Sequence, residues 1–230
     1  MRSRNGVVGS SRVVCLTMSV MSTAYERLRE RVLTGDLPAG GRLGEISLAA
    51  ELGVSRPTVR EALRRLESHG LAQSDGRGLR VAHLDDRELR SALLMRASLE
   101  GLHAELAAER VAAGEVAPAQ LSRLLALADE AEQATEAGDY RRAVQRNRAF
   151  HQAIDALADS PVSAAAVDRL WDRILISTRH ALELRERASL VSQEHRDLLA
   201  ALRAGDQARA GAIARSHARA TADAIRVMVR

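Results

Sequence analysis

The chain contains no lysine. All 34 of its basic side chains are arginines, whose planar fork matches phosphate oxygens and the guanine edge. A GC-rich coding sequence produces the same absence, so where the arginines stand is better evidence than their number. The single cysteine, Cys15, excludes an internal disulfide framework and fits a reducing compartment. Aromatic residues make up 2% of the chain against 46% hydrophobic. Alanine and leucine must therefore form the core, which favours helices over sheets. There are four prolines, and long segments are free of both proline and glycine. No run approaches the ~18 apolar residues of a membrane-spanning helix, so a cytoplasmic protein without a membrane partner is expected. Residues 1–20 carry basic residues followed by VVCLTMSVM. That apolar run is short and has no clear small-residue cleavage site. It reads as a disordered or non-native extension, with the working chain starting near Met18 or Met21.

What is present concentrates first in Glu45–Gly70, EISLAAELGVSRPTVREALRRLESHG. Val59, Ala62, Leu63 and Leu66 repeat at helical spacing and define one apolar face. Arg56, Thr58, Arg60, Arg64 and Arg65 occupy the leading turn and the opposite side. Ser55 stands where an N-cap belongs, and Pro57 is compatible only with a first turn. A short helix precedes this one across Gly53 and Val54, which predicts a helix-turn-helix whose second helix enters a DNA major groove. Upstream, Ser22 can cap a helix running to about Thr34 with Tyr25, Leu28 and Val32 buried. Downstream, LAQSDGRGLRVAHL predicts a small β-hairpin around a Ser-Asp-Gly-Arg-Gly turn. A helix-turn-helix followed by a hairpin is a winged helix, with Gly76 and Arg77 at the tip of the wing, placed to meet phosphates or a minor groove.

Residues 24–81 resemble the N-terminal domain of the GntR family of bacterial transcription regulators. The resemblance rests on Gly35-x-Leu37-x-x-Gly40, then Arg42-Leu43, Leu48-Ala49, Leu52-Gly53-Val54-Ser55-Arg56, Val59-Arg60-Glu61-Ala62-Leu63, Leu66 and Gly70-Leu71. It implies that Arg56, Thr58 and Arg60 contact double-stranded operator DNA, supported by Gly76 and Arg77; Ser55 and Arg64 join them as candidate contacts. Ile46 stands where some family members have a DNA-contacting arginine, so that contact is not expected here.

From Asp85 the composition shifts. Residues 86–230 read as six helical segments, about 86–113, 117–137, 139–159, 161–187, 189–204 and 206–229, separated at Gly114–Pro118, Gly138-Asp139, Ser160-Pro161, around Ala188-Ser189 and at Gly205-Asp206. An all-α bundle is expected. Three of its segments carry a histidine in phase with apolar residues: His151 with Val144, Asn147, Ile154 and Ala158; His195 with Leu198, Leu199 and Leu202; His217 with Ile213, Ala220 and Ala224. Asn147 lies one turn before His151 and faces the same way. Each histidine alone reads as a core residue bonded to a backbone carbonyl. Three in phase make a shared divalent metal (Zn, Ni or Mn) an equally good account. His103 reads as core or as support for that centre, His180 is open, and His69 and His83 read as structural or exposed. Trp171 reads as a packing residue. Arg96 can pair with Glu100 one turn on, or grip a ligand carboxylate.

LLMRASLEGLHAELAA (93–108), NRAFHQAI (147–154), SQEHRDLLAALRAGDQARA (192–210) and ARSHARA (214–220) resemble the FCD-type C-terminal ligand-binding domain of the FadR subfamily of GntR regulators. The resemblance implies that His151, His195 and His217 ligate a metal, with Asn147 in the place of an oxygen ligand that is often aspartate. It also implies that Arg96, with Asn147 and the three histidines, receives a small carboxylate effector.

The expected protein is mainly α, with residues 21–83 a winged helix-turn-helix and residues 86–230 an all-α six-helix effector-binding and dimerisation domain. The expected function is a homodimeric, ligand-responsive, nucleoid-associated transcription regulator, most simply a repressor, and not an enzyme. One alternative is a metal-dependent hydrolase built on His151, His195 and His217. It is disfavoured because no carboxylate is evidently placed as general base, Glu194 facing about 100° away from His195 on an ideal helix. A helical scaffold or RNA-binding module is the other, disfavoured by the density of the helix-turn-helix matches.

Overall fold

A first helix, α1 (23–34), buries Tyr25, Leu28 and Val32, the stripe read from its spacing. In the computed structural model, residues 23–178 and 185–228 are described. The N-terminal extension, the Ser22 cap and His180 lie outside them. The described residues divide into two compact units between His83 and Leu84.

In the first unit, α2 (Glu45–Leu52) and α3 (Arg56–Ser68) form the helix-turn-helix. The turn between them depends on Gly53, whose φ of 67° is left-handed and whose N–H returns to the carbonyls of Ala49 and Ala50. Ser55 Oγ then caps α3 by accepting from the Thr58 N–H at 3.3 Å, a cap of a kind that contributes about 1 kcal/mol. Val59, Ala62, Leu63 and Leu66 are the buried face of α3. The hairpin pairs β1 (Ala72–Ser74) with β2 (Leu79–Val81), antiparallel, Gln73 opposite Arg80. Its turn uses Gly76 and Gly78 at φ 77° and 139°, with the Arg77 N–H donating to Asp75 Oδ1 at 2.9 Å. Arg42 bridges to Arg80 on the far side of β2, which ties the segment before α2 into the wing.

The second unit contains α4 (Asp86–Ala112), α5 (Pro118–Glu136), α6 (Tyr140–Ala158), α7 (Pro161–Thr178), α8 (Arg185–Arg203) and α9 (Gln207–Met228). Asp85 and Glu88 form a reciprocal capping box that starts α4. Among the described residues α4 packs against α6, α7, α8 and α9, and α5 covers α6 and α8. The core joins Ala104, Ala107, Leu124, Phe150, Ile154, Leu198, Leu202 and Ala214. Alanine and glycine let α4 and α9 approach closely: a Cβ on Gly101 would lie 2.3 Å from Arg215 Cγ, and one on Gly211 would lie 2.3 Å from Glu105 Oε1.

One boundary and one buried face differ from expectation. α8 starts at Arg185 and runs through Ala188 and Ser189, where a break was expected. Neither residue stops a helix, since alanine is the best helix former and serine costs only a fraction of a kcal/mol (about 0.5) in a helix interior. On α9 the buried small residues are Ala210, Ala214, Ala218 and Ala222, whereas Ala220 and Ala224 are only half-buried. α9 meets α4 on one side and α8 on another, so its buried face is broader than a single stripe.

Candidate functional site

Two groups of side chains stand out. The first lies on the surface of the helix-turn-helix. Arg56, Arg60 and Arg64 remain exposed along α3, and with Arg42, Gly78 and the start of α2 they line an open cleft of about 900 Å³. Thr58 Oγ1 lies 2.8 Å from Ser55 Oγ at the entrance to α3. Arg77 and Gly76 sit at the exposed hairpin tip, where the Arg77 carbonyl accepts from Arg42 Nη2 at 2.9 Å. Arg64 makes an exposed pairing with Glu61 at 3.7 Å. Ile46 is 69% exposed, an apolar side chain on an otherwise charged face. Arg65 turns away from this group and lies over the Tyr25 ring, 4.1 Å from its centroid; the Tyr25 hydroxyl in turn meets His69 Nδ1 at 2.6 Å. His69 is thus structural. Arg42, a landmark of the family resemblance with no contact assigned from the sequence, reaches the wing. Glu45 carried no signal of its own, yet it holds Arg60 through paired bonds of 2.8 Å each.

The second group is buried in the helical unit. α6 brings His151, α8 His195 and α9 His217 to one place, with one ring nitrogen from each lying within 4.8 Å of the others. Their rings are 4.9 to 5.6 Å apart by centroid, and all three are 3% exposed or less. His151 Nε2 and His217 Nε2 are 3.1 Å apart. The Glu194 carboxylate accepts from His217 Nδ1 at 2.7 Å, so Nε2 is the His217 nitrogen turned toward the other imidazoles. Both nitrogens of His195 are buried and have no hydrogen-bond partner among the described residues; its ring stacks on Phe150 with centroids 4.2 Å apart. Burial, together with neighbouring positive groups, holds His151 and His195 well below the usual imidazole range, so both are neutral at physiological pH. Three converging imidazoles, two of them held neutral and one of those unsatisfied, are a donor set that fits a divalent ion. Asn147 Oδ1, one turn before His151, is likewise buried without a partner among the described residues.

Beside the histidines α4 supplies Arg96 and Glu100. Arg96 is 1% exposed. Its Nε donates to Glu100 Oε1 at 2.7 Å, so the ion pair one turn along α4 is formed. Trp171 Nε1 donates to the same carboxylate oxygen at 2.9 Å, and the Arg96 guanidinium lies 3.6 Å over the Trp171 ring. Glu100 Oε2 is 3.8 Å from His151 Nδ1. Trp171 is therefore part of the polar centre and not only packing. His103 lies on the same side of α4, between Asp155 at 2.5 Å and Ser163 Oγ at 2.7 Å, a fully buried tether joining α4, α6 and α7. No carboxylate is evidently placed as general base from the sequence; two stand beside the centre, Glu100 bonded to Arg96 and Trp171 and Glu194 bonded to His217. Glu194 does face away from His195 along α8, but that direction points at His217 on the adjacent α9.

Comparison with known proteins connects the two groups. Residues 21–81 match the bacterial regulatory proteins of the gntR family, and residues 91–220 match the FCD domain. The HTH-type transcriptional regulator McbR of Escherichia coli (strain K12) is 31% identical over 206 residues, 86% of this chain and 87% of that protein. The probable D-xylose utilization operon transcriptional repressor of Paenarthrobacter nicotinovorans is 28% identical over 82% of this chain and 80% of its own length. The solved structure of E. coli McbR/YncC matches with a TM-score of 0.76 at 27% identity, covering 92% of this chain and 99% of that one. Among the described residues no helix is long and apolar enough to cross a membrane. The winged helix and the helical unit that follows it are the two parts of one regulator: the chain belongs to the GntR family of bacterial regulatory proteins, in the branch carrying an FCD domain, as a DNA-binding transcription regulator and not an enzyme.

Proposed function

We propose that the protein is a cytoplasmic homodimeric repressor whose FCD domain holds a divalent metal ion and senses a small organic acid there. The observation that carries this reading is His195, a buried imidazole with both nitrogens unpartnered among the described residues, facing two further buried imidazoles. Leaving such a group unsatisfied costs about 1–3 kcal/mol, and an ion held by His151, His195 and His217, with Asn147 as a candidate oxygen ligand, removes that penalty. The ion supplies Lewis acidity and an open coordination position for an effector oxygen. Zn, Ni and Mn all suit the donors.

Arg96 and Trp171 would orient the effector. Arg96 is already neutralised by Glu100, so an incoming carboxylate would have to share the guanidinium or displace Glu100. This closed pair favours a second reading, a neutral polyhydroxylated effector bound through hydroxyls at the ion. One relative is named for a D-xylose utilization operon, in keeping with that alternative. Either effector can shift DNA binding only by binding one arrangement of the protein more tightly than another. Residues 21–83 would be the DNA-binding part and 86–230 the sensing and dimerisation part. Dimerisation is supported by Leu94, Met95 and Leu102, 40 to 55% exposed on the outer side of α4. A two-fold dimer would present two α3 helices to half-sites of a pseudo-palindrome.

Elemental analysis of the purified protein, followed by a thermal-shift screen of carboxylic acids against sugars with and without chelator, tests the proposal. Copurified metal with chelator-sensitive stabilisation by acids supports it. Stabilisation by sugars alone replaces the acid with the second reading. Absence of metal uptake overturns the metal centre.

A further inference from the structure

Glu45 opens α2, yet its carboxylate grips the arginine in the middle of α3. Arg60 Nε and Nη2 each donate to it at 2.8 Å, and Arg56 Nη2 lies 3.9 Å from the same group. Exposed ion pairs contribute little to stability because water and salt screen them. A two-bond grip at this position therefore calls for another role. The Arg60 guanidinium has five N–H donors. Glu45 takes the side edge, Nε with one hydrogen of Nη2. The end edge, Nη1 with the other hydrogen of Nη2, meets no acceptor among the described residues, and that edge is suited to O6 and N7 of guanine.

Resting on the reading that α3 enters the major groove, we infer that Glu45 is a positioning residue for sequence readout, fixing the Arg60 guanidinium so that its end edge selects one guanine. A free arginine gives up rotamer freedom when a base captures it; Arg60 has lost that freedom before DNA arrives. The carboxylate also lowers the positive charge of the cleft that Arg42, Arg56 and Arg64 line, which weakens attraction to phosphates of any sequence. Specificity is a difference of affinities, and both effects widen it. The bond from Arg60 holds the Glu45 carboxyl below the usual range, so the grip persists at neutral pH.

The test uses the full-length protein and a duplex that the wild type enriches from a random-sequence pool. Enrichment of no sequence by the wild type would overturn the DNA reading of α3 itself, a failure separate from that of Glu45. On the enriched duplex, Glu45→Ala is expected to bind roughly tenfold more weakly, the scale of one bidentate base contact. On a scrambled duplex it is expected to bind as tightly as the wild type or more so. Base preference should relax at one base pair. The double variant Glu45→Ala/Arg60→Ala should bind no more weakly than Arg60→Ala, because Glu45 acts through Arg60. Glu45→Gln, nearly isosteric, serves if thermal unfolding shows Glu45→Ala to be misfolded. Equal changes on both duplexes, tighter binding with base preference intact, or additive losses in the double variant would each overturn the inference.

Discussion

Glu194 accepts a hydrogen bond from His217 at 2.7 Å, through the ring nitrogen remote from His151. The bond orients the His217 ring and aims Nε2 at His151 Nε2, 3.1 Å away. Carboxylates in this relation to a metal-bound imidazole hold its orientation and raise its basicity. Glu194→Gln is expected to weaken metal binding about 10–100-fold while leaving the fold intact, read by competition with a chelator of known affinity.

His195 gives a sharper test of the metal. A ligand present at a hundred times its Kd stabilises the folded state by about 2.7 kcal/mol. Wild type is expected to gain thermal stability on adding Zn, Ni or Mn and to lose it on adding chelator. In His195→Ala both responses should shrink to near zero. An unchanged response in that variant would remove His195 from the ligand set.

The Glu45–Arg60 pair predicts a titration. Arg60 lowers the Glu45 carboxyl from its ordinary value of 4.5. Since the folded-state value is depressed, the pair is present above 4.5 and is lost as pH falls through the lower folded value. Carboxyl-resolved NMR is expected to place the Glu45 midpoint below 4.5 in wild type, and to return it toward that value in Arg60→Ala.

Gly205 and Gly138 separate backbone strain from close packing. Both have left-handed φ, 67° and 73°. A Cβ on Gly138 would meet nothing, whereas one on Gly205 would sit 2.8 Å from Ala112 Cβ at the end of α4. Gly138→Ala is expected to destabilise by about 1–2 kcal/mol from the left-handed conformation alone, and Gly205→Ala by more. Urea unfolding of the two variants gives the difference.

Much of this architecture is legible along the chain because it is local. The α3 cap, the Gly53 turn and the buried face of Val59, Ala62, Leu63 and Leu66 each depend on residues within two turns of one another. The helix breaks that glycine and proline enforce, at Gly114–Pro118 and Ser160-Pro161, are legible for the same reason. The expected break at Ala188-Ser189 failed because it rested on residues that do not stop a helix. For the histidines, helical phase identified three inward-facing imidazoles, since a polar side chain in register with leucines has no other direction to face.

What the sequence determined by itself was the pair of elements and the direction each polar residue faces within its own helix, because helical periodicity converts spacing into direction. Only the tertiary structure decided which directions converge. It brought Glu194 of α8 to His217 of α9, set Trp171 of α7 against Arg96 and Glu100 of α4, and placed Glu45 against Arg60. Each of these pairs joins residues whose side chains meet only after helices pack or after a chain reversal. The distances that make them a donor set, an indole bonded to a buried ion pair and a fixed guanidinium are properties of packing, which periodicity along one helix does not contain.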